Sequence, residues 1–285
     1  GMLYAAIRFA PVFGTKLVSV DAGDALNRRG IKRIVELEDS VAVVADSYWR
    51  AKEALKLVSS VFETSANDNT SSADIYAGFE RSLADENGSK VIEEGDTEAA
   101  MELAADVIEG NYRVPYLAHA AMEPMNCTAY VQKDKCQVWA GTQDPNGARK
   151  IASKITGLSK KQVEVNVTFL GGGFGRRAFN DFVTEAVEIS NEIKKPVKMI
   201  WTREEDMQHD FYRPPSLHVM KGAFDQNDNL TTWIHSIVAP SILFTQLIKI
   251  PFPFKEKIDF MTLEGAKHLP YKIPNMQVGI QMIKT

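Results

Sequence analysis

The sequence predicts an α+β fold, because stretches with the two-residue period of strands and stretches with helical spacing alternate along its 285 residues. A hairpin is predicted over 126–142, and a second one pairs 217–224 with 230–238. Between the hairpins, an alternating strand over 163–169 runs through several glycines into a helix that begins after Asn180. Strands and helices are therefore expected to mix within one chain.

The amino-acid composition is that of an ordinary globular protein, and it disfavours nucleic-acid-binding and membrane-spanning proteins. The chain is 45% hydrophobic and 25% charged, and 33 Lys and Arg against 37 Asp and Glu give a net charge of −4. This balance disfavours a nucleic-acid partner, and no segment approaches the roughly 18 apolar residues of a membrane span. The apolar run 2–7 is interrupted at Arg8, before the roughly 7 to 15 residues of a signal-peptide core. No export signal is predicted, and the compartment stays open.

The two cysteines are predicted to be free thiols. Cys127 and Cys136 fall on the two strands of the first hairpin, and the expected register separates them by roughly 20 Å of strand. A disulfide needs Cα atoms within about 7 Å. The five histidines contain no pair at metal-binding spacing, so no protein-ligated zinc or iron site is expected.

Three segments are predicted along the chain. Residues 1–63 have short β-rich runs followed by a helix with a cap at Asp46 and Ser47, which indicates a small α/β domain. Residues 64–94 are predicted to be a polar linker, because their beginning is rich in small polar residues. Residues 95–285 are expected to form a mixed domain, with a helix over 97–109 and a Pro-rich loop at 251–254.

The glycine-rich loop is the first candidate for chemistry. Glycines within 171–175 allow positive φ angles and close approach to a ligand, and N–H groups at a helix start favour anions. Counting G-x-G-x-x-G from Gly171 puts Arg176 at the third glycine, and no Gly-Lys-Ser/Thr follows. Nicotinamide and ATP sites are therefore disfavoured. Arg176 and Arg177 favour an anionic ligand, unless they are solvated residues at a helix start.

Four motifs in order carry a family resemblance. They are HAAMEPM at 119–125, VWAGTQ at 138–143, LGGGFGRR at 170–177 and PVKMIWTREEDM at 196–207. This order resembles the molybdenum hydroxylases, the aldehyde oxidase and xanthine dehydrogenase family, and most of all the isoquinoline 1-oxidoreductase β subunit branch. The resemblance covers nearly the whole chain. It implies a small hammerhead-like α/β domain followed by a mixed α+β molybdopterin-binding domain.

The resemblance also implies a cofactor and a site. Family members bind molybdopterin, in bacteria usually as a cytosine dinucleotide, and no side chain ligates the metal. Gln143 matches the glutamine whose amide hydrogen-bonds an oxo ligand of molybdenum, and Phe174 matches the residue whose backbone lies against the metal centre. The cofactor-binding residues implied in this way are Gln143, Gly172, Gly173, Phe174, Gly175 and Arg176.

The implied reaction is hydroxylation of an N-heterocycle or aldehyde carbon with oxygen from water, with electrons leaving through a small subunit that carries 2Fe–2S clusters. Ala178 stands where purine-hydroxylating relatives have an acid, which disfavours a purine. The family's catalytic glutamate lies in a second cofactor domain, beyond the residues that match here. The chain is therefore expected to be the N-terminal portion of a large subunit, without catalytic residues, inactive and free of cofactor on its own.

Roles for nearby acids and for the loop follow from this reading. Glu123 is expected to make a structural hydrogen bond, and Glu185 and Glu188 are expected on the solvated side of their helix. The loop 171–177 is expected to be mobile or to lie in an open cleft. One alternative is a non-catalytic binding or assembly module that keeps the fold. Another, which depends only on the glycine-rich turn, is a mononucleotide-binding enzyme.

Overall fold

The computed structural model describes residues 1–85, 88–242 and 258–283. It has the predicted α+β character, but its two compact units interleave along the chain. The first unit contains 1–68 and 118–211, and the second contains 69–117 and the residues from 212 onward. This division differs from the predicted boundaries at 63 and 94. The reason is that the N-terminal strand pairs with a strand near residue 200, so the predicted first domain shares a sheet with later residues.

The helices and strands have the following bounds, in chain order: β1 Leu3–Phe9, β2 Leu17–Asp21, β3 Ile31–Glu36, β4 Ser40–Ala45, α1 Tyr48–Leu55, β5 Ser59–Phe62, α2 Ser72–Ala84, β6 Ser89–Glu94, α3 Thr97–Glu102, β7 Asp106–Val114, β8 Asn126–Val131, β9 Cys136–Ala140, α4 Pro145–Thr156, β10 Val163–Val167, α5 Asp181–Ile193, β11 Val197–Ile200, α6 Arg203–Gln208, β12 Ser216–Phe224, β13 Leu230–Ala239 and β14 Asn275–Met282. Short 3-10 turns stand at 25–27, 160–162 and 176–178. No helix of the described residues is long and apolar enough to cross a membrane.

The first unit is built on a sheet with the strand order β10-β9-β8-β11-β1-β4-β3. The predicted hairpin 126–142 is confirmed as the antiparallel pair β8 and β9, and β10 extends it in parallel. Helix α5 packs on β8 and β11 and against α4. Its predicted apolar face is confirmed, because Phe182, Ala186 and Ile189 are fully buried. These contacts fix the position at which β10 enters α5 through the glycine-rich loop.

The second unit has a sheet with the order β6-β14-β13-β12-β7. The predicted second hairpin is confirmed as β12 and β13. The predicted polar linker over 64–94 is wrong, since α2 and β6 lie within it and Phe79 of α2 packs fully buried against Leu217 and Val238. The small polar residues there include a helix cap, in which Ser71 and Asp74 bond reciprocally.

The predicted helix over 97–109 is right only in its first half. Helix α3 ends at Glu102, and the chain then forms β7 along the edge of β12. Leu103, the residue after α3, is 86% exposed. Pairing with a strand distant in sequence has overridden the local helical pattern. The Pro-rich loop predicted at 251–254 lies outside the described residues.

Both cysteines are buried free thiols, as predicted. Cys127 lies opposite Ala140 and Cys136 opposite Val131, so the two are at different ends of the hairpin. Burial raises the pKa of the Cys136 thiol to about 11. Neither thiol is therefore activated for nucleophilic chemistry.

Glu185 contradicts the expectation of a solvated side chain. Only 7% of it is exposed, and its Oε2 accepts a hydrogen bond of 3.1 Å from Nε1 of Trp201. The neighbouring Val183 and Val187 are also fully buried, because α5 is covered on more sides than one apolar stripe indicates. Burial, together with the charge of Asp181, raises the pKa of the Glu185 carboxyl well above its usual range.

We predict that Glu185→Gln gains stability relative to the wild type as the pH rises from 4 to 8. The folded protein holds the Glu185 proton more tightly than the unfolded chain, so wild-type stability is lost as pH rises above the unfolded pKa of about 4.3. The amide keeps an acceptor for Trp201 and has no proton to lose. Urea unfolding at pH 4 and pH 8 measures the difference, which should be small at pH 4. The exposed Glu36→Gln is the control, and an equal pH dependence in both variants would contradict this prediction.

Two histidines of the second unit form a buried pair on β12 and β13. Nδ1 of His218 lies 2.9 Å from Nε2 of His235, and Nε2 of His218 lies 2.8 Å from Oγ of Ser216. Burial, and then the neighbouring His218, lowers the pKa of His235 to about 4. Burial also lowers the pKa of His218. Both rings are therefore neutral partners in the native sheet near pH 7.

We predict that this pair destabilises the protein in mild acid. The folded pKa of His235 lies below the unfolded value of about 6.5, so the native state loses stability as pH falls from there toward about 4. His235→Gln removes the proton uptake. As the pH falls from 7 to 4, the free energy of unfolding of His235→Gln should therefore increase relative to that of the wild type by on the order of 2 kcal/mol. His268→Gln, at an exposed position, is the control variant, and a flat difference for His235→Gln would refute the prediction.

Candidate functional site

The candidate site lies in the first unit, where the turn after β9 meets the loop after β10. Several hydrogen bonds join residues 142–144 to residues 177–180. The N–H of Gln143 donates to the carbonyl of Arg177 at 3.0 Å, Oγ1 of Thr142 donates to Oδ1 of Asn180 at 2.8 Å, and Nδ2 of Asn180 donates to the carbonyl of Asp144 at 3.1 Å. The carboxyl ends of two adjacent parallel strands are thereby joined into one surface.

Gln143 is oriented by the glycine-rich loop. Its Oε1 accepts hydrogen bonds from the backbone N–H groups of Gly175 and Arg177, both at 3.2 Å. The oxygen end of the amide is therefore committed to the loop. The side chain is exposed, and its Nε2 group makes no hydrogen bond within the described ranges of the chain. Two N–H donors are thus available to an acceptor from outside the protein.

The glycines permit this contact. A Cβ atom on Gly173 would lie 2.7 Å from Oε1 of Gln143, so any larger residue would displace the Gln143 amide from this position. Gly172 and Gly175 have φ angles of +99° and +96°, and the space beside Gly175 is open to 4 Å. A ligand could therefore reach the backbone of the loop directly.

Phe174 is held in a strained conformation at the tip of the loop. Its φ of +53° is left-handed, which costs a non-glycine residue about 1 to 3 kcal/mol. The residue is 75% exposed, and Phe169 just before the 170–177 motif and Met122 within the 119–125 motif are 104% and 89% exposed. Strain of this kind is typical of functional sites. The first part of the loop is open, as expected, whereas its end is deeply buried.

Arg176 is not on the open face of the loop. It is 1% exposed, and its Nη atoms form a two-pronged ion pair with Asp181 at 2.9 and 2.7 Å. Its Nε lies 2.8 Å from Oδ1 of Asp210, and its guanidinium stacks over Trp201 and Phe211. The expectation that Arg176 binds an anionic cofactor is therefore wrong for its side chain. A buried arginine must be paired internally, and these carboxylates satisfy its charge.

Glu123 makes the structural hydrogen bonds that the sequence predicts. Its Oε2 accepts from the N–H of Gly171 at 2.9 Å and from Nη2 of Arg177 at 3.0 Å, and its Oε1 accepts from Nδ2 of Asn126 at 2.9 Å. Burial opposes ionisation, but these donors outweigh it and keep the pKa of Glu123 below its usual range. The carboxylate is therefore ionised and fully engaged.

The remaining acids around the loop are likewise occupied. Asp210 accepts from the backbone and from Nδ1 of His119, and Asp206 accepts from the N–H of Met125 at 3.2 Å and pairs with Arg203. The sequence did not reveal these partners, because they lie far from the loop along the chain. Within the described residues, no group of three or more His, Cys, Asp or Glu is placed to hold a metal ion.

Comparisons with known proteins place this geometry in context. The family model of the molybdopterin cofactor-binding domain matches residues 82–285. The chain is 31% identical over 252 residues to a membrane-bound aldehyde dehydrogenase (pyrroloquinoline-quinone) of Gluconacetobacter polyoxogenes, covering 84% of this chain and 32% of that protein. It is 27% identical over 253 residues to the isoquinoline 1-oxidoreductase subunit beta of Brevundimonas diminuta, covering 85% of this chain and 32% of that protein.

Solved structures show the same fold. The aldehyde oxidoreductase of Desulfovibrio gigas superposes with a TM-score of 0.69 at 17% identity, over 99% of this chain and 35% of that one. Quinoline 2-oxidoreductase of Pseudomonas putida 86 gives a TM-score of 0.64 at 18% identity, over 98% of this chain and 41% of that one. The chain spans about a third of the length of the curated relatives it matches. Because the family model matches most of its residues, the chain belongs to the molybdopterin cofactor-binding domain family.

Proposed function

We propose that this chain forms one wall of a molybdopterin site in the large subunit of an oxidoreductase that hydroxylates an N-heterocycle or aldehyde carbon with oxygen from water. The observation that carries the proposal is the exposed Gln143 amide, whose oxygen is bound by the loop and whose two N–H donors are free. The names of relatives, an isoquinoline oxidoreductase and an aldehyde dehydrogenase, support this substrate class.

The residues present fit such a cofactor. Molybdopterin supplies sulfur ligands to its own metal, so the protein needs hydrogen-bond donors and close backbone approach, and needs no cluster of ligating side chains. Gln143 offers the donors, and Gly173 and Gly175 offer the approach. When bound, the cofactor accepts two electrons from the substrate carbon as an oxygen atom from water is added. We propose the cytosine dinucleotide form.

Each residue of the wall has a distinct part in this proposal. Gln143 donates to the cofactor without adding charge, and the backbone of Phe174 and Gly175 lines the same side. The exposed rings of Phe169 and Phe174 offer apolar surface that would exclude water once covered. Arg176 acts through its backbone position only, because its side chain is turned into the interior.

The general base lies outside this chain in our proposal. Glu123 is engaged by three donors, Glu185 is bonded to Trp201, and Asp210 is held between His119 and Arg176. A base must be free to take a proton from the reacting group. We therefore assign it to a second cofactor-binding domain of the large subunit, and electron transfer to a small subunit with 2Fe–2S clusters. The isolated chain is accordingly inactive and without cofactor.

We predict that a large subunit carrying these residues binds about one molybdenum and one pterin per chain, and that Gln143→Ala lowers both. The loss of one hydrogen bond to the cofactor weakens its binding by roughly tenfold. Elemental analysis for molybdenum and pterin fluorescence after denaturation measure the two. Gln137→Ala is the matched control, since Gln137 bonds to Glu164 on the sheet surface.

Three results would be informative against the proposal. If the large subunit contained a quinone and no pterin, its cofactor would be the one printed in the name of the Gluconacetobacter relative, and the molybdopterin proposal would fail. A wild-type large subunit with neither molybdenum nor pterin would favour the binding or assembly module. Equal metal content in the Gln143→Ala and Gln137→Ala variants would remove Gln143 from the site.

A further inference from the structure

Arg177 connects two parts of the chain through its side chain. It is fully buried, Nε donates to the carbonyl of Gly172 at 2.7 Å, and Nη2 donates to the carbonyl and to Oε2 of Glu123 at 2.7 and 3.0 Å. The planar fork of the guanidinium thus spans the glycine-rich loop on one side and the 119–125 motif on the other.

Glu123 holds the beginning of the loop from the opposite side. Its N–H donates to the carbonyl of Gly171 at 3.1 Å, and its Oε2 accepts from the N–H of Gly171 at 2.9 Å. A Cβ on Gly171 would lie 2.6 Å from Cβ of Glu123, so the two backbones approach as closely as only glycine permits. Glu123 and Arg177 together therefore bind three backbone groups of the loop, which are the carbonyls of Gly171 and Gly172 and the N–H of Gly171.

The backbone of Arg177 makes the connection to Gln143. Its N–H donates to Oε1 of Gln143 at 3.2 Å, and its carbonyl accepts from the N–H of Gln143 at 3.0 Å. The same carbonyl lies 3.2 Å from Oγ1 of Thr142. One residue thus anchors the loop with its side chain and orients the glutamine with its main chain.

We propose that the ion pair between the buried Arg177 and the partly exposed Glu123 is the positioning element of this site, which sets the 171–175 loop so that Gln143 presents its Nε2 donors outward. In this proposal neither side chain contacts the cofactor: Arg177 has no exposed surface, and the Glu123 carboxylate is already bound by Gly171, Arg177 and Asn126. The pair acts on Gln143 through the backbone at 177. That the ion pair affects cofactor binding rests on the proposed function. That it positions the loop and orients Gln143 does not.

The geometry explains why arginine is required at 177. Lysine would keep the charge beside Glu123, but a single ammonium cannot reach the carbonyl of Gly172 and the carbonyl of Glu123 together from the same stem. A role in charge balance alone would therefore be rescued by Arg177→Lys. A positioning role would not be.

The test uses the 285-residue chain without cofactor and compares Arg177→Gln, Arg177→Lys and Glu123→Gln with Arg33→Gln. Arg33 is an exposed arginine that pairs with Glu192, so it controls for the loss of one ion pair. Hydrogen exchange at the N–H groups of Gly175 and Arg177 (or of the residue at 177) reports the bonds to Gln143. The side-chain amide signals of Gln143 in labelled protein, assigned with Gln143→Asn, report its orientation.

We expect both Arg177 variants to raise exchange at 175 and 177 by about tenfold or more, the ratio that corresponds to one lost hydrogen bond, with the Gln143 signals moving toward free-amide positions. The exchange rates of backbone amides in β8 should change by less than about twofold, as they should in Arg33→Gln. Glu123→Gln should show a smaller effect, because an amide oxygen still accepts from Gly171.

Wild-type behaviour in Arg177→Lys, or unchanged Gln143 signals in Arg177→Gln, would overturn the proposal. If Arg177→Gln fails to fold, the same exchange and amide measurements on Arg177→Lys and Glu123→Gln test the proposal. If loop and glutamine respond as expected while the wild-type large subunit binds no molybdenum, the positioning role stands and the proposed function fails.

Discussion

The site depends on two consecutive arginines, Arg176 and Arg177, whose charged side chains are buried and must be paired inside the protein. A buried guanidinium must find carboxylates and carbonyls to replace its hydration, or the cost is several kcal/mol. Arg176 and Arg177 meet most of this requirement in different directions, although Nη1 of Arg177 has no hydrogen-bond partner within the described residues. Arg176 binds Asp181 and Asp210, which ties the start of α5 to the segment around 210, and Arg177 binds Glu123 and Gly172, which ties the loop to the 119–125 motif.

The orientation of Gln143 follows from that constraint. With the end of the loop held from the interior, the backbone N–H groups at 175 and 177 point at one amide oxygen, and the glutamine has only its nitrogen end to offer to a ligand. Glycines at 171 and 173 are needed because Glu123 and Gln143 stand where a side chain would go. In our proposal the charged side chains therefore hold the loop from the interior, and the surface offered to the cofactor consists of backbone, the Gln143 amide and apolar rings.

Sequence patterns predicted the parts of this arrangement that are local. The hairpin of β8 and β9 and the apolar face of α5 each depend on neighbours within a few residues. The order of motifs identified Gln143. What could not be predicted depends on partners distant in the chain: β7 is a strand because β12 lies beside it, and Arg176 faces inward because Asp210 is there. Glu185 was misplaced because one apolar stripe does not reveal that a helix is covered on its other faces.

The central claim is that the loop presents the nitrogen end of Gln143 to a molybdopterin cofactor. A crystal structure of the large subunit with its cofactor bound tests this most directly. We predict that Nε2 of Gln143 lies about 3 Å from an acceptor atom of the cofactor, while Oε1 keeps its bonds to the N–H groups of Gly175 and Arg177. A cofactor bound by the guanidinium of Arg176 or Arg177, or a Gln143 amide turned away from it, would contradict the account.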